Sequence, residues 1–349
     1  MKTTFISTSA ISEATRVSLI KLQTQLATAQ KEVSTGRYAD MGVSLGYKTG
    51  QTVSLRQEQN RLTTITETNS VVATRLDSTQ SALTSLVGDA QNFLGQLLGA
   101  RDAPTGPQVV QKQAQTSLSA FADMLNTSID GAYLFAGINA DVKPISQYDQ
   151  TPPSPAKQAV DNAFFATFGI TQNDPAVANI SASAMQNFLD TTFAGLFQDP
   201  AWTTNWSSAS DQNIRSRIST SELIETSTNT NESAFRQLAQ AYTMVADLGT
   251  QNLNQGAFQA VVDTATKIAA QGIQGLTELQ SNLGTAQQRV EDANGRMSIQ
   301  KDILTNHISS MEDVDPYEAS TRVNTLMTQI ETAYAMTARI QQLSLLNYL

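Results

Sequence analysis

The chain has 349 residues, with 22 lysines and arginines against 31 aspartates and glutamates, which gives a formal net charge of −9 at pH 7. This acidity argues against nucleic acid or an anionic membrane as the main partner, because both are negatively charged. Cysteine is absent and histidine occurs once, at His307, so thiolate sites and histidine-based metal or acid–base chemistry have little basis. We therefore predict no catalytic residues, no cofactor, no metal site and no enzyme activity.

Prolines divide the chain into helical and non-helical regions. Six of the nine prolines fall between 141 and 200, whereas residues 1–103 and 201–315 contain none. Because proline costs about 3 kcal/mol inside a helix, the long proline-free stretches are where long helices can form. The chain is also rich in alanine, serine, threonine, glutamine and asparagine. These neutral side chains are suited to close helix–helix contact and to assembly.

Apolar residues repeat at steps of three and four along these stretches. A first short stripe precedes Gly36, a long one covers 55–97, a second long one covers 276–314, and a last short one follows Pro316. The spacing is that of a coiled-coil seam. The predicted core of the two long helical rods comprises Leu62, Ile65, Val72, Leu76, Leu83, Leu86, Leu279, Leu283, Val290 and Leu304.

The remaining elements lie between the rods. Helices are predicted over 107–130 and 232–248, and a strand over 215–224, although its alternation is poor. After the second rod, Asp315, Pro316 and Glu318 have the order of an N-cap, a first helical position and a capping-box acid, which predicts a new helix.

The order of elements predicts a mainly α fold. The chain goes out along one rod and returns antiparallel along the other, in a coiled-coil-like bundle with a mixed α/β insert at its tip. The predicted domains are terminal helices (1–40 and 317–349), a helical rod domain (41–140 and 231–316) and a variable insert (141–230).

The terminal stripes are predicted to be assembly seams, comprising Leu19, Leu22, Leu26, Val33, Val323, Leu326, Ile330 and Ile340. Two narrow amphipathic helices with small side chains bury little apolar surface when they pair only with each other. We therefore expect these ends to be marginally stable in a free monomer and to become ordered when neighbouring copies cover them.

Four segments carry a family resemblance. They are Thr35–Asp40 (TGRYAD), Gly131–Gly137 (GAYLFAG), Asp313–Arg322 (DVDPYEASTR) and Leu343–Leu349 (LSLLNYL). By these segments and their order along the chain, the sequence resembles the bacterial flagellin superfamily, and within it the hook–filament junction proteins. That narrower likeness rests on the last segment and on the start Met1-Lys2-Thr3. The double aspartate of flagellins is missing from the first segment.

The resemblance implies an extracellular structural subunit, exported unfolded by the flagellar type III system without a cleaved signal peptide. It implies four partners: other copies in a helical layer, flagellin on the distal side, a neighbouring hook-associated protein on the hook side, and an export chaperone at the C-terminal helix. The alternatives are flagellin itself, a secreted coiled-coil binding or translocator protein, and, least supported, an enzyme.

Three local features allow a second interpretation. Asn69 lies on a rod seam, where a buried asparagine can determine register, and His307 lies on the other seam, where a polar residue at the edge is the simpler interpretation than a proton switch. Glu312, Asp313 and Asp315 suggest calcium, but the turn glycine and distal glutamate of an EF-hand are missing. A capped helix junction explains these acids better.

Overall fold

A computed structural model describes residues 8–346 of the chain. It divides into two compact units, one formed by Met1–Thr63 with Ser298–Leu349 and the other by Thr64–Met297. Helices α3 (Thr49–Ala100) and α9 (Gln255–Glu312) contribute residues to both units. The predicted division into terminal helices, rod and insert remains a prediction.

The first unit is helical. Helix α1 (Thr8–Thr35) ends at Gly36, whose φ of 71° suits a residue without a Cβ. Helix α2 (Met41–Leu45) and a 3₁₀ turn (Gly46–Lys48) lead to α3, and α10 (Pro316–Leu346) follows α9. The predicted helix start is confirmed, because Asp315 Oδ1 accepts the backbone N–H of Tyr317 at 2.8 Å. The carboxylate of Glu318 completes no capping box; it binds Arg322 at 2.7 Å instead.

Helices α3 and α9 pair antiparallel within each unit, as predicted. In the first unit Gln59 Nε2 donates to Thr305 Oγ1 at 2.8 Å. In the second unit Gln287 Nε2 donates to Asp77 Oδ1 at 2.6 Å, and Gln280 Nε2 donates to Thr84 Oγ1 at 3.0 Å. Residue numbers rise on one helix as they fall on the other.

A helical bundle forms the main core of the second unit. Helices α4 (Gly106–Leu125) and α8 (Ser233–Asp247) pack on each other and on the second-unit parts of α3 and α9. The ring of Tyr242 meets Phe93 and Phe121 edge-on, with ring centroids 4.9 and 5.9 Å apart. Its hydroxyl donates to Asp89 at 2.9 Å, so the one polar atom of this buried ring is satisfied.

Glycines on α9 allow α8 to approach closely. A Cβ at Gly275 would stand 2.9 Å from the Cβ of Ala234, and one at Gly272 would stand 2.9 Å from the side chain of Leu238. Both distances are shorter than ordinary carbon–carbon contact. Small residues at these two positions therefore set the spacing between the helices.

The segment between α4 and α8 combines short helices, two hairpins and irregular chain. Its helices are α5 (Pro155–Phe168), α6 (Ala182–Phe188, continued by a π turn over Leu189–Phe193) and α7 (Ala201–Asn205), with a 3₁₀ turn at Pro175–Asn179. Two short antiparallel hairpins pair β1 (Ser128–Ile129) with β2 (Ala132–Tyr133) and β3 (Arg215–Arg217) with β4 (Leu223–Glu225). A chain of aromatic contacts forms its core, comprising Tyr148, Phe164, Phe168, Phe188, Phe193, Phe197, Trp202 and Trp206.

Two predicted elements differ in detail. The strand predicted over 215–224 is two strands separated by a turn at Ser219–Ser221, which explains its poor alternation. The helix predicted over 107–130 ends at Leu125. The side chain of the next residue, Asn126, binds the backbone of Ile145: its Nδ2 donates to Ile145 O at 3.0 Å, and its Oδ1 accepts the Ile145 N–H at 3.2 Å.

Candidate assembly interface

Helices α1 and α10 form an antiparallel pair in the first unit. Arg322 contacts Glu32 at 2.9 Å and Gln23 donates to the Tyr334 hydroxyl at 2.9 Å, which sets the register. Each helix contributes one stripe at steps of three and four. The stripe comprises Thr15, Leu19, Leu22, Leu26, Ala29 and Glu32 on α1, and Ala319, Val323, Leu326, Ile330, Ala333, Thr337 and Ile340 on α10.

The core between these two helices is thin. Among the stripe residues named above, Ala29 and Glu32 on α1 and Ala319 and Leu326 on α10 are buried, and the others are half-buried. A pair of helices stabilised by so narrow a stripe has little apolar burial to offset the entropy of ordering its residues. The pairing therefore leaves most of both helix surfaces available.

Large apolar side chains stand on the outward faces. On α1, Val17 is 56% exposed and Ile20 51% exposed, and on α10 the most exposed methionine, Met336, is 60% exposed. Met327 and Tyr334 are also exposed. Both helices of the pair therefore expose large apolar side chains away from their shared stripe.

Two buried carboxylates tie the N-terminal and C-terminal segments of this unit together. Glu32, in the stripe of α1, accepts the Arg322 guanidinium and the backbone N–H of Ala39 at 3.2 Å. Glu312, at the end of α9, accepts two hydrogen bonds from Arg56, one of them from Nε at 2.9 Å. Removing one partner of such an ion pair is costly, because it leaves the other charge buried without compensation.

The contacts of Glu312 also shift its pKa. The hydrogen bond from Arg56 lowers the pKa of Glu312, burial opposes that effect, and the charges of Arg56 and Arg37 lower the pKa further. The backbone reinforces the same junction. Tyr38 N–H donates to Glu312 O at 3.0 Å, and Val314 N–H donates to Gly36 O at 2.9 Å.

The structure places seven of the eight predicted seam residues in the α1–α10 stripe. The exception is Val33, which is 43% exposed, because its neighbour Glu32 takes the inward position. Their role in assembly remains a prediction. Met1–Thr3 and the last three residues of the predicted C-terminal segment, 347–349, lie outside the described residues.

The predicted rod-core residues divide into two groups. Leu62 lies in the first unit and is buried, whereas Leu304 in the same unit is half-buried. In the second unit Ile65 and Leu279 are half-buried, and the others are buried, namely Val72, Leu76, Leu83, Leu86, Leu283 and Val290.

The two polar residues on the predicted rod seams, Asn69 and His307, differ in burial. The side chain of Asn69 is fully buried in the second unit, where its Nδ2 donates to Ile218 O at 2.8 Å and to Asn294 Oδ1 at 2.7 Å. His307 is exposed on α9. Across residues 8–346 no group of three histidine or acidic side chains is arranged to hold a metal ion.

The sequence interpretation missed the arginine–glutamate contacts. Glu32 and Arg322 are separated by 290 residues in the chain, and Arg56 and Glu312 by 256. The one sign of them in the sequence is Glu32, a charged residue directly beside the predicted seam position Val33 in an otherwise apolar repeat. None of the helices described is long and apolar enough to cross a membrane.

Comparisons with known proteins agree with this architecture. The bacterial flagellin N-terminal helical region matches residues 6–140, and the bacterial flagellin C-terminal helical region matches residues 266–349. No curated protein matches the chain. A solved structure described as a flagellar hook-associated protein from Vibrio parahaemolyticus is similar in fold, with a TM-score of 0.52 and 9% identity, over 76% of this chain and 97% of that one.

The two matched regions together cover well over half of the chain, and they are its N-terminal and C-terminal helical parts. They include the whole described α1–α10 pair and both long helices through most of their length. The chain belongs to the bacterial flagellin family, as a structural protein of the flagellum.

Proposed function

We propose that this chain is the subunit that joins the flagellar hook to the filament. It assembles in a helical layer through α1 and α10, with flagellin on its distal side and a hook-associated protein on its hook side. It is exported unfolded, without a cleaved signal peptide, and an export chaperone covers the C-terminal helix before export.

The observation that carries the assembly role is the thin, one-sided pairing of α1 and α10. Each helix uses one narrow stripe on the other and exposes apolar residues elsewhere, among them Ile20 and Met336. Copies stacked beside the pair would bury these side chains and stabilise both helices, which couples folding of the ends to assembly.

Two observations favour the junction over the filament. The last residues, Leu343–Leu349, resemble the ending of junction proteins. The similar Vibrio structure is described as a hook-associated protein. The description of both matched regions as flagellin favours the second candidate, a filament subunit.

A seeding experiment separates the two candidates. Purified hook fragments bearing the adjoining hook-associated protein are incubated with this chain and then with flagellin, and filament growth is followed by electron microscopy. We expect short layers of this chain on hook ends, and flagellin growth only where those layers are present. Long filaments grown from this chain alone would contradict the junction role and support the filament subunit.

A matched pair of variants tests the surface. Ile20→Asp places a charge on the outward face of α1, and Val109→Asp places one on α4 in the second unit, where the valine is similarly exposed, at 57% against 51% for Ile20. We expect Ile20→Asp to abolish layer formation and Val109→Asp to retain it. Equal assembly of the two variants would contradict a role for the α1 surface.

A further inference from the structure

One asparagine of the chain, Asn294, is followed by a glycine, Gly295. An asparagine deamidates when the backbone nitrogen of the next residue attacks its side-chain amide carbon. Glycine permits this attack most readily, because it has no Cβ and the least restricted backbone. The pair lies within α9, in the second unit. Its reactivity therefore depends on whether α9 is formed.

Packing does not explain the glycine at position 295. Gly295 is exposed, and a Cβ added to it would meet no atom within 4 Å. Gly272 and Gly275 on the same helix differ, because a Cβ at either position would stand 2.9 Å from a side chain of α8. Glycine weakens a helix interior relative to alanine. At position 295 this weakness has no compensation in closer packing.

The helical backbone prevents the reaction in the folded chain. Ring closure requires a ψ angle at Asn294 that carries the Gly295 nitrogen round to the side chain, far from the helical value of about −42°. In an α-helix that nitrogen also donates its hydrogen to the carbonyl four residues earlier. The attack therefore has to wait until this part of α9 opens.

A contact from α3 holds the side chain of Asn294 as well. Asn294 is half-buried, and its Oδ1 accepts a hydrogen bond from Asn69 Nδ2 at 2.7 Å. Asn69 is itself fully buried and donates to Ile218 O at 2.8 Å. The reacting amide is thus fixed from a second helix, and deamidation in the folded chain has to break this contact too.

We propose that Asn294 is a deamidation site that is protected by the folding of α9. In the unfolded chain a bond forms between the Gly295 nitrogen and Asn294 Cγ, and the Cγ–Nδ2 bond breaks. The proton of the Gly295 nitrogen passes through solvent to the leaving group, which departs as ammonia. Water then opens the cyclic imide. Its hydroxyl adds to one of the two carbonyl carbons and its proton returns to the nitrogen, which gives an aspartate or an isoaspartate.

The isoaspartate product is incompatible with a regular α9. Its main chain runs through the former side chain, so the helix gains one methylene at position 294 and loses the intrahelical hydrogen bonds that span it. No side-chain amide then remains at this position to accept the hydrogen bond of Asn69. We expect a deamidated chain to form a less stable second unit. Deamidation therefore marks chains that have stayed unfolded, whichever flagellar subunit this is.

The experiment compares the full chain with and without urea at mildly alkaline pH. Trypsin then releases the peptide Val290–Arg296, which contains Asn294, and liquid chromatography with mass spectrometry separates its amide, aspartate and isoaspartate forms. We expect conversion to be at least about tenfold slower in the folded chain than in urea.

Asn282 is the matched control within the same helix. It is exposed, whereas Asn294 is half-buried, and it is followed by Leu283. In urea we expect Asn282 to convert at least about tenfold more slowly than Asn294, because leucine restricts the backbone that has to attack. Exposure alone would predict the opposite order in the folded chain.

Two variants separate the roles of the glycine and of the contact from α3. Gly295→Ala should slow conversion of Asn294 in urea at least about tenfold. Asn69→Ala should raise the rate in the folded chain about fivefold or more and leave the rate in urea unchanged. Circular dichroism confirms that each variant is folded before the comparison.

Equal conversion of Asn294 in the folded chain and in urea would overturn the proposal. Equal conversion of Asn294 and Asn282 in urea would also overturn it. An unchanged rate in folded Asn69→Ala would show that the contact from α3 gives no protection. A chain that has been deamidated in urea and refolded should unfold at a lower temperature than a freshly refolded chain, and equal midpoints would contradict the effect on the second unit.

Discussion

Replacing Asn69 by alanine tests how strongly one buried amide stabilises the second unit. The side chain is fully buried, and its Nδ2 makes two hydrogen bonds, to Ile218 O and to Asn294 Oδ1. Alanine leaves the buried Ile218 carbonyl without this donor and removes the link between α3 and α9. Alanine also removes Asn69 Oδ1, which has no hydrogen-bond partner, so at about 1–3 kcal/mol for an unsatisfied buried group we expect a net loss of about 1–3 kcal/mol.

Thermal unfolding followed by tryptophan fluorescence measures this loss, because Trp202 and Trp206 both lie in the second unit. For a unit of this size, 1 kcal/mol corresponds to about 2–4 °C, so the midpoint should fall by about 2–12 °C. Asn294→Ala is the matched control. Asn294 is only half-buried, so water can replace part of its bond, and the fall should be about half or less. A fall below about 2 °C for Asn69→Ala would refute the reasoning.

Three further predictions concern other parts of the chain. Because the folded-state pKa of Glu312 is lowered, its contribution is fully present above its unfolded pKa of about 4.5 and is lost as pH falls through the lower folded value; Glu312→Gln should therefore flatten the acid limb of stability followed by circular dichroism. Gly275→Ala should lower the free energy of unfolding and with it the unfolding midpoint, because its Cβ meets Ala234. Gly295→Ala, in open space on the same helix, should raise the free energy of unfolding by up to about 1 kcal/mol. In the monomer, hydrogen exchange should be faster in α1 and α10 than in α4 and α8.

Each of these has a contrary result. An acid limb identical in Glu312→Gln and the wild-type chain would contradict the role of the Arg56 contact. Equal midpoints for Gly275→Ala and Gly295→Ala would contradict close packing of α8 on α9. Equal protection of the terminal helices and of the Tyr242 core would contradict coupled folding and assembly.

Much of the helical architecture could be predicted from local pattern. A heptad repeat specifies both that a helix forms and which face it buries, and Leu76, Leu83 and Leu283, which the spacing puts on the seam, are buried. The start of α10 was equally readable, because an N-cap and a first-turn proline are local signals.

Long-range pairing could not be predicted in the same way. Val33 fits the repeat of α1, but Glu32 is buried instead because Arg322 reaches it from the far end of the chain. The hydrogen bonds of Asn69 to Ile218 and Asn294 likewise join segments that are far apart in the sequence. The spacing of residues along one helix carries no information on such partners.

The first unit has a topological consequence for synthesis and delivery. It is composed of residues from the two extremes of the sequence, so that the Gly36–Val314 and Glu32–Arg322 contacts each close a loop of more than two hundred residues. A polypeptide presented from one end cannot complete such contacts until its other end has appeared. The contiguous stretch 64–297 contains every residue of the second unit. In a chain that emerges N-terminus first, the second unit can therefore fold before the first.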